Sequence, residues 1–278
     1  MVMTFLFVGW LTTGGPSRYE SLNGAFLRPP APLGTGETYG ELPGIDVSDI
    51  KLKLPGTLNV FLAQNNVVIG TRSNRGTTDP SKEYIEIVGR GTSPTLITGW
   101  RLSGKNGVNT VIPRGTRTLF TGRVNETSDI TLPYGGRAVL VSGTSPVGTS
   151  FRINKCSGYL GAFQEFTPSI SRIACPSPVS EAASQGISSD QNCVSYASSI
   201  PVCSIVSETL PSNFSSTCRD FLLNRLTYNG CVSAHQADAD FYTNEWRVYL
   251  GSQSDLWQSS DVIKVYDQTG KEVGAYAY

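Results

Sequence analysis

Residues 83–91 read EYIEIVGRG, and this stretch decides the fold class of the chain. Along it, Ile85 and Ile87 lie on one face and Tyr84 and Glu86 on the other, which is the period-2 pattern of a half-buried β-strand. Comparable short strand patterns, separated by turns, occur at 50–54, 58–62 and 66–70. The sequence therefore predicts a mainly β protein built from short strands.

The composition supports a β-rich fold and argues against catalysis. Glycine (29) and proline (16) are abundant and only 16% of the 278 residues are charged, which is typical of short strands joined by turns. Lys and Arg (22) balance Asp and Glu (22), and no basic patch stands out along the sequence, so no nucleic acid partner is expected. With His235 as the single histidine and no catalytic motif, we expect no cofactor and no enzymatic activity.

Further strand segments follow in a defined order: LITGWRL at 96–102, IPRGT at 112–116, a predicted hairpin LPYGGRAVLVSG at 132–143, and a closing strand pair at 261–267 and 271–276. Together with EYIEIV and the small turn GRG, this order resembles the lamin-tail domain, a compact immunoglobulin-like β-sandwich of nuclear lamins and many secreted bacterial proteins. The resemblance covers about 79–150 and about 248–278, less than half of the chain. It implies an immunoglobulin-like (lamin-tail) sandwich over 45–155 plus 246–278, with Trp100 in the core between its sheets.

All cysteines lie in one segment, and the first 155 residues contain none. The six are Cys156, Cys175, Cys193, Cys203, Cys218 and Cys231. Zinc sites and redox sites usually show close C-x-x-C pairs, which are absent here, whereas an even number at wide spacing predicts three disulfides of open connectivity. Disulfides in turn predict an oxidising compartment, so the expected location is extracellular or at the cell surface.

The alternating pattern stops after Lys155. Predicted helices in this part are 218–226, ending at Asn229-Gly230, and 240–251, while 177–191 is predicted as a loop or a short helix. Together with the cysteines, these segments predict a disulfide-stapled, partly helical insertion at 156–245. The insertion interrupts a single sandwich, because matching strands lie on both sides of it.

An acidic and imidazole cluster is the one candidate for metal or catalytic chemistry. It comprises His235, Asp238, Asp240 and Glu245. A calcium loop needs oxygen ligands at several fixed positions and a turn glycine, and Asp238 and Asp240 supply only two carboxylates before the predicted helix. We therefore interpret Asp240 as the N-cap of that helix and expect no metal, although a bound metal there would favour a secreted hydrolase.

The chain begins with an apolar run, MVMTFLFVGWL, at residues 1–11. As a helix it would rise about 16 Å, against about 30 Å for a hydrocarbon core, so it predicts no transmembrane span. Within residues 1–15 it is either the apolar part of a secretion signal or a buried strand. A third alternative is a strand that fills a groove in a neighbouring copy, because 16–44 is a Pro/Gly-rich arm. The candidate subunit contacts are Phe5, Phe7, Val8 and Trp10.

Two classes of function fit these observations. The favoured hypothesis is a non-catalytic structural protein of the cell surface, which assembles with copies of itself into a filament or layer by exchange of the N-terminal strand. The alternative is a monomeric secreted adhesion or binding module that recognises a glycan, a protein or a nucleic acid. Asn125 and Asn213 begin N-x-[ST] sequons and are candidate glycosylation sites in a host that glycosylates.

Overall fold

The computed structural model describes residues 66–74, 77–104, 109–171, 174–206, 210–257 and 261–277. The predictions for residues 1–15, the arm at 16–44 and the strands at 50–54 and 58–62 lie outside these ranges. Phe5, Phe7, Val8 and Trp10 lie outside them as well.

Strands are the most numerous elements in the described part of the chain, so the prediction of a mainly β protein is confirmed. They are β1 (Val67–Asn74), β2 (Tyr84–Gly89), β3 (Thr95–Leu96), β4 (Arg101–Ser103), β5 (Asn109–Val111), β6 (Thr131–Leu132), β7 (Arg137–Val141), β8 (Phe151–Asn154), β9 (Tyr242–Tyr249), β10 (Val262–Tyr266) and β11 (Glu272–Ala277). A five-stranded sheet has the order β1-β2-β7-β9-β8, and a four-stranded sheet has the order β11-β10-β4-β5. Within the larger sheet β9 runs parallel to β7, with Ala138 opposite Trp246.

The two sheets share one apolar core. Ile85 and Ile87 from the larger sheet and Leu102 and Ile263 from the smaller one are fully buried in the same cluster. Trp100 belongs to this cluster and is only 5% exposed, so its prediction as a core residue is confirmed. Burial of such side chains is the main favourable contribution to folding of this part.

A glycine and a tyrosine hold the edges of the two sheets together. The register of β1 shifts between Ile69 and Ser73, and Gly70 there has a φ of +73°. The ring of Tyr276 in β11 lies so close that a Cβ at Gly70 would be 1.9 Å from its Cδ2 atom. The Tyr276 hydroxyl is 2.9 Å from Ser73 Oγ. Only glycine leaves room for this contact and adopts this φ without cost.

The predicted hairpin at 132–143 is wrong, although both of its strands exist. β6 pairs with β3, whereas β7 pairs with β2 and β9, so the turn between them joins two different sheets. The turn is held against the end of β2, where Gly89 N donates to Gly136 O and Gly135 N donates to Gly89 O. By contrast, the closing strand pair forms the predicted antiparallel hairpin, β10 and β11.

The predicted helix over 240–251 is also wrong, because these residues form strand β9. Trp246 and Val248 belong to the core between the sheets, while Tyr249 belongs to a second cluster on the opposite face. A strand buried on both faces has a nearly continuous apolar pattern that spacing cannot distinguish from a helix. Asp240 is consequently no helix cap, and the sheet resumes at Tyr242, earlier than the predicted 246.

Short helices fill the segment at 156–241, which we call the lobe; we call the remaining described residues the β region. The helices are a 3-10 helix (Ser157–Ala162), α1 (Pro178–Ser184), a short 3-10 turn (Ile187–Ser189), α2 (Gln191–Ser199), α3 (Ser216–Asp220) with a π-helical turn (Phe221–Arg225), and α4 (Tyr228–His235). The helix predicted at 218–226 is confirmed, but it does not extend to Asn229-Gly230. A new helix starts there, because the Thr227 side chain accepts from Gly230 N.

Three disulfides tie these helices together, as predicted. Cys156–Cys231 joins the start of the 3-10 helix to α4, Cys193–Cys218 joins α2 to α3, and Cys175–Cys203 links two loops. All six cysteines are buried. No helix in the described ranges is long and apolar enough to cross a bilayer.

Candidate functional site

The predicted acidic and imidazole cluster exists in part, at the C-terminal end of α4. His235 Nδ1 lies 2.8 Å from Asp238 Oδ2, and His235 Nε2 lies 2.7 Å from Glu181 Oε1. Lys155 Nζ donates to Asp238 Oδ2 at 3.0 Å and to Asp240 Oδ1 at 2.6 Å. The imidazole therefore bridges two carboxylates, and only its protonated form donates from both nitrogens.

Glu245 does not belong to this cluster. It lies on β9, where Arg137 Nε and Arg247 Nε each donate to its carboxylate at 2.8 Å. Glu181 takes its place beside His235, although the two are 54 positions apart in the sequence. Glu181 is 4% exposed and also accepts from Arg225 Nε at 2.6 Å. No local sequence pattern marks it, since it is one acidic residue in a Ser/Ala-rich segment.

Each carboxylate of this cluster has a cationic partner, which favours the ionised form of the carboxylate. Hydrogen bonds from His235 and Lys155 lower the pKa of Asp238, and a hydrogen bond from Lys155 lowers that of Asp240. Burial lowers the pKa of Lys155, but its bonds to Asp240 and Asp238 outweigh burial and raise it overall. These groups form an ion-pair network that joins α1 and α4 to the end of β8, and the paired carboxylates are poorly placed to act as general acids.

A second group of side chains that could bind a metal ion has a structural role instead. Asp190, Cys193 and Cys218 are the one such group within the described ranges. The two cysteines form a disulfide, and Asp190 Oδ1 caps α2 by accepting from Cys193 N at 3.1 Å. The sulfur atoms are therefore not available as thiolate ligands.

A mostly apolar pocket of about 420 Å³ lies where the lobe meets the β region. We call it the junction pocket. Its lining residues are Thr121, Val147, Tyr159, Leu160, Phe163, Gln164, Ile205, Thr227, Tyr228 and Asn229. The volume falls in the range of about 300–1,000 Å³ that is usual for small-molecule sites.

The walls of the junction pocket are covalently fixed. Tyr159 and Leu160 lie on the 3-10 helix that follows Cys156, and Tyr228 opens the helix that carries Cys231. The disulfide between these cysteines ties one wall to the other, because it joins the two helices.

The side-chain amide of Asn229 holds the wall that the β region contributes through two hydrogen bonds. Asn229 Oδ1 accepts from Thr121 N at 2.9 Å, and Asn229 Nδ2 donates to Thr121 O at 3.0 Å. The pocket is thus largely formed before any ligand arrives.

The lining of the junction pocket carries no formal charge at neutral pH. Burial above all raises the pKa of Tyr159 to about 12, and burial raises the pKa of Tyr228 as well, so both phenols stay protonated. Phe163 is 73% exposed at the rim. A neutral lining with an exposed aromatic ring suits an uncharged ligand group.

The two sequon asparagines occupy different environments. Asn213 is exposed. Asn125 is half-buried, and its Nδ2 donates to Phe120 O at 2.9 Å and to Arg123 O at 3.1 Å. A glycan on Asn125 would break at least one of these bonds. Glycosylation at either position stays a prediction.

Comparison with protein-family models, with curated proteins and with solved structures gives no match.

Proposed function

We propose that the chain is a non-catalytic binding protein of the cell exterior, built on an immunoglobulin-like sandwich of the lamin-tail type, and that its junction pocket holds an uncharged group of a glycan or protein ligand. The observation that carries this proposal is the pocket itself, with one wall from the β region and two from the lobe. The three disulfides support an extracellular location, since such bonds persist in oxidising compartments.

The fixed walls favour binding over catalysis. A pocket that is rigid before binding loses little conformational entropy when it takes a ligand, so even a few contacts give measurable affinity. Tyr159 and Tyr228, the titratable groups of its lining, are held protonated, and the nearby carboxylate of Glu181 already has Arg225 as its cationic partner.

A substitution that fills the pocket tests the proposal. The Thr121 side chain is exposed at the pocket, while its backbone makes the bonds to Asn229, so Thr121→Trp blocks the pocket without removing these bonds. We expect fluorescence of the neutral dye Nile red to show binding that this variant weakens about tenfold, or about 1.4 kcal/mol. Binding to an array of neutral glycans should fall in parallel.

The matched control is Thr92→Trp, which adds the same ring at an exposed threonine outside the pocket. It should bind as the wild type does. Equal binding by wild type, Thr121→Trp and Thr92→Trp would contradict the proposal.

A second candidate function is self-assembly at the cell surface by exchange of the N-terminal strand. The apolar run at 1–11 followed by the Pro/Gly-rich arm at 16–44 favours it. Deletion of residues 1–15 should then leave a folded monomer that forms no polymer, as measured by sedimentation and electron microscopy. Unchanged polymer after the deletion, or a wild type that stays monomeric, would exclude strand exchange.

A further inference from the structure

Three arginines lie close together on the β region, and two of them belong to one loop. The Arg117 and Arg152 guanidinium groups lie 5.1 and 4.9 Å from the centroid of the same ring, that of Tyr242. The Arg123 guanidinium lies 4.7 Å from the centroid of Phe120, which is in the same loop as Arg117. Two positive charges therefore share one aromatic side chain, and a third lies on the loop that carries Arg117.

These arginines lack the acidic partners that other arginines of this protein have. Arg114 pairs with Asp129 at 3.3 Å, and Arg225 pairs with Glu181 at 2.6 Å. Among the described residues, no carboxylate oxygen lies within 4.0 Å of the guanidinium groups of Arg117, Arg123 or Arg152. Burial, and then the charge of Arg117, lower the pKa of Arg152. Arg152 itself donates to Thr243 O at 2.7 Å and to Asn244 Oδ1 at 3.2 Å, and an anion bound beside Arg117 would relieve the repulsion between the two arginines.

The loop that carries Arg117 and Arg123 forms a recess of about 450 Å³, which we call the arginine recess. Its lining residues are Arg117, Thr118, Phe120, Arg123, Val124, Asn125, Glu126, Thr127 and Ser128. Glu126 is the one acidic residue among them, and its side chain is exposed. Hydroxyl, amide and aromatic groups therefore surround the two guanidinium groups.

The recess is closed at its base and braced inside. Gly115 and Ser128 exchange backbone hydrogen bonds of 3.0 and 2.7 Å across the base of the loop. Asn125 Oδ1 accepts from Phe120 N at 2.8 Å, and Asn125 Nδ2 donates to Phe120 O at 2.9 Å. The arginines thus stand on a loop that its own hydrogen bonds hold in shape.

We propose that the arginine recess binds a sulfate or phosphate ester group carried by a saccharide. Guanidinium groups bind such oxyanions through paired, charge-assisted hydrogen bonds. The hydroxyl of Thr127 and the ring of Phe120 can contact the attached sugar, whereas the Thr118 hydroxyl already bonds to the Tyr242 hydroxyl. A nucleic acid is disfavoured, because the chain has 22 basic and 22 acidic residues and three clustered arginines do not make the long basic stripe that a polyanion backbone needs.

The proposal is independent of the junction pocket, which shares no lining residue with the arginine recess. The two can therefore fail separately.

The test uses the full chain and fluorescein-labelled dextran sulfate oligosaccharide, with neutral dextran of the same length as the second probe. We expect the sulfated probe to bind more tightly than neutral dextran, with an affinity that falls as salt increases. Arg117→Gln and Arg123→Gln should each weaken binding about tenfold, as loss of a hydrogen bond to a charged group implies. Both side chains are exposed, so these variants should keep the wild-type melting temperature.

Arg114→Gln is the matched control, because it removes the same charge from the edge of the same loop but from an arginine already paired with Asp129. It should leave binding unchanged within about twofold. An equal loss in Arg114→Gln, or no binding of dextran sulfate, would overturn the proposal. Tighter binding of single-stranded oligothymidine than of dextran sulfate would contradict the proposal and indicate a nucleic acid ligand. If sodium sulfate displaces dextran sulfate at an equal concentration of sulfate groups, the recess recognises the anion alone, and the proposal that it binds a saccharide is wrong.

Discussion

The β region and the lobe are stabilised in different ways. In the β region, one cluster of nineteen buried residues joins the two sheets and includes Trp100, Trp246 and Trp257. The outer helices of the lobe share a cluster of only nine buried residues, around Phe221 and Leu222. Helices as short as these are marginal in water without tertiary support, so the lobe depends on its disulfides and ion pairs. The difference shows that covalent links here compensate for a small core.

A third apolar cluster connects the two regions. It combines Val139 and Phe151 from the outer face of the larger sheet with Tyr159, Tyr228 and Val232 from the lobe. The Cys156–Cys231 disulfide belongs to this cluster, whereas Cys193–Cys218 lies in the outer helical cluster. We therefore expect the stability of the lobe to decrease from the sheet outward.

Removal of the Cys156–Cys231 disulfide should have the largest effect. It closes a separation of 75 residues, for which the loss of loop-closure entropy predicts about 4 kcal/mol. In Cys156→Ala/Cys231→Ala we expect amide hydrogen exchange in α4 and the 3-10 helix to accelerate strongly, while β2 and β7 stay protected.

The control is Cys193→Ala/Cys218→Ala, with a separation of 25 residues. It should loosen α2 and α3 and leave α4 protected. Equal loss of protection in β7 and in α4 after removal of Cys156–Cys231 would show that the lobe and the β region unfold as one unit.

A buried carboxylate in the β region should give the next effect. Glu83 is fully buried and accepts from Leu256 N at 2.7 Å, from Trp257 N at 3.1 Å and from the Ser142 hydroxyl. Burial raises its pKa although these bonds favour the ionised form. In Glu83→Gln an amide NH₂ faces at least one of these donors, so we expect the free energy of unfolding to fall by about 2 kcal/mol in urea titrations.

Glu272→Gln is the control, because Glu272 makes only an exposed pair with Lys264 at 3.4 Å. We expect it to cost less than about 1 kcal/mol. If the two substitutions cost the same, Glu83 does not tie β2 to the segment at 255–257.

The local sequence pattern predicts those parts of this fold that depend on residues close together in the sequence. The strand at Tyr84–Gly89, the hairpin of β10 and β11 and the burial of Trp100 all follow from alternation and turn residues. The pairing of β6 with β3 does not, because strand partners are chosen by tertiary contacts. Strand β9 does not follow from local pattern either, since burial on both faces removes its alternation.

The junction pocket could not be predicted, because it combines residues from distant parts of the chain. Thr121 and Asn229, which meet at the junction pocket, are 108 positions apart. The sequence shows no basic patch, yet the fold brings Arg117 and Arg152 to one ring of Tyr242. Only the wide cysteine spacing pointed to the lobe as a stapled unit.

Titration of Asp238 should give the smallest effect and probes the ion pairs that join the lobe to the β region. Hydrogen bonds from His235 and Lys155 lower its pKa from the usual 3.8, so its ionised form is favoured in the folded protein. This contribution is present at a pH above 3.8 and is lost as the pH falls through the lower folded pKa. The melting temperatures of wild type and Asp238→Asn should therefore differ near about pH 6 and converge near about pH 2.

Lys155→Met separates this ion pair from other acid effects. It removes one of the two donors to Asp238 and keeps a long apolar side chain at the end of β8. The carboxyl carbon resonance of Asp238 should then titrate at a higher pH than in the wild type, closer to 3.8. An unchanged titration in Lys155→Met would mean that His235 alone holds Asp238, so that the network joins helices within the lobe without linking them to the sheet.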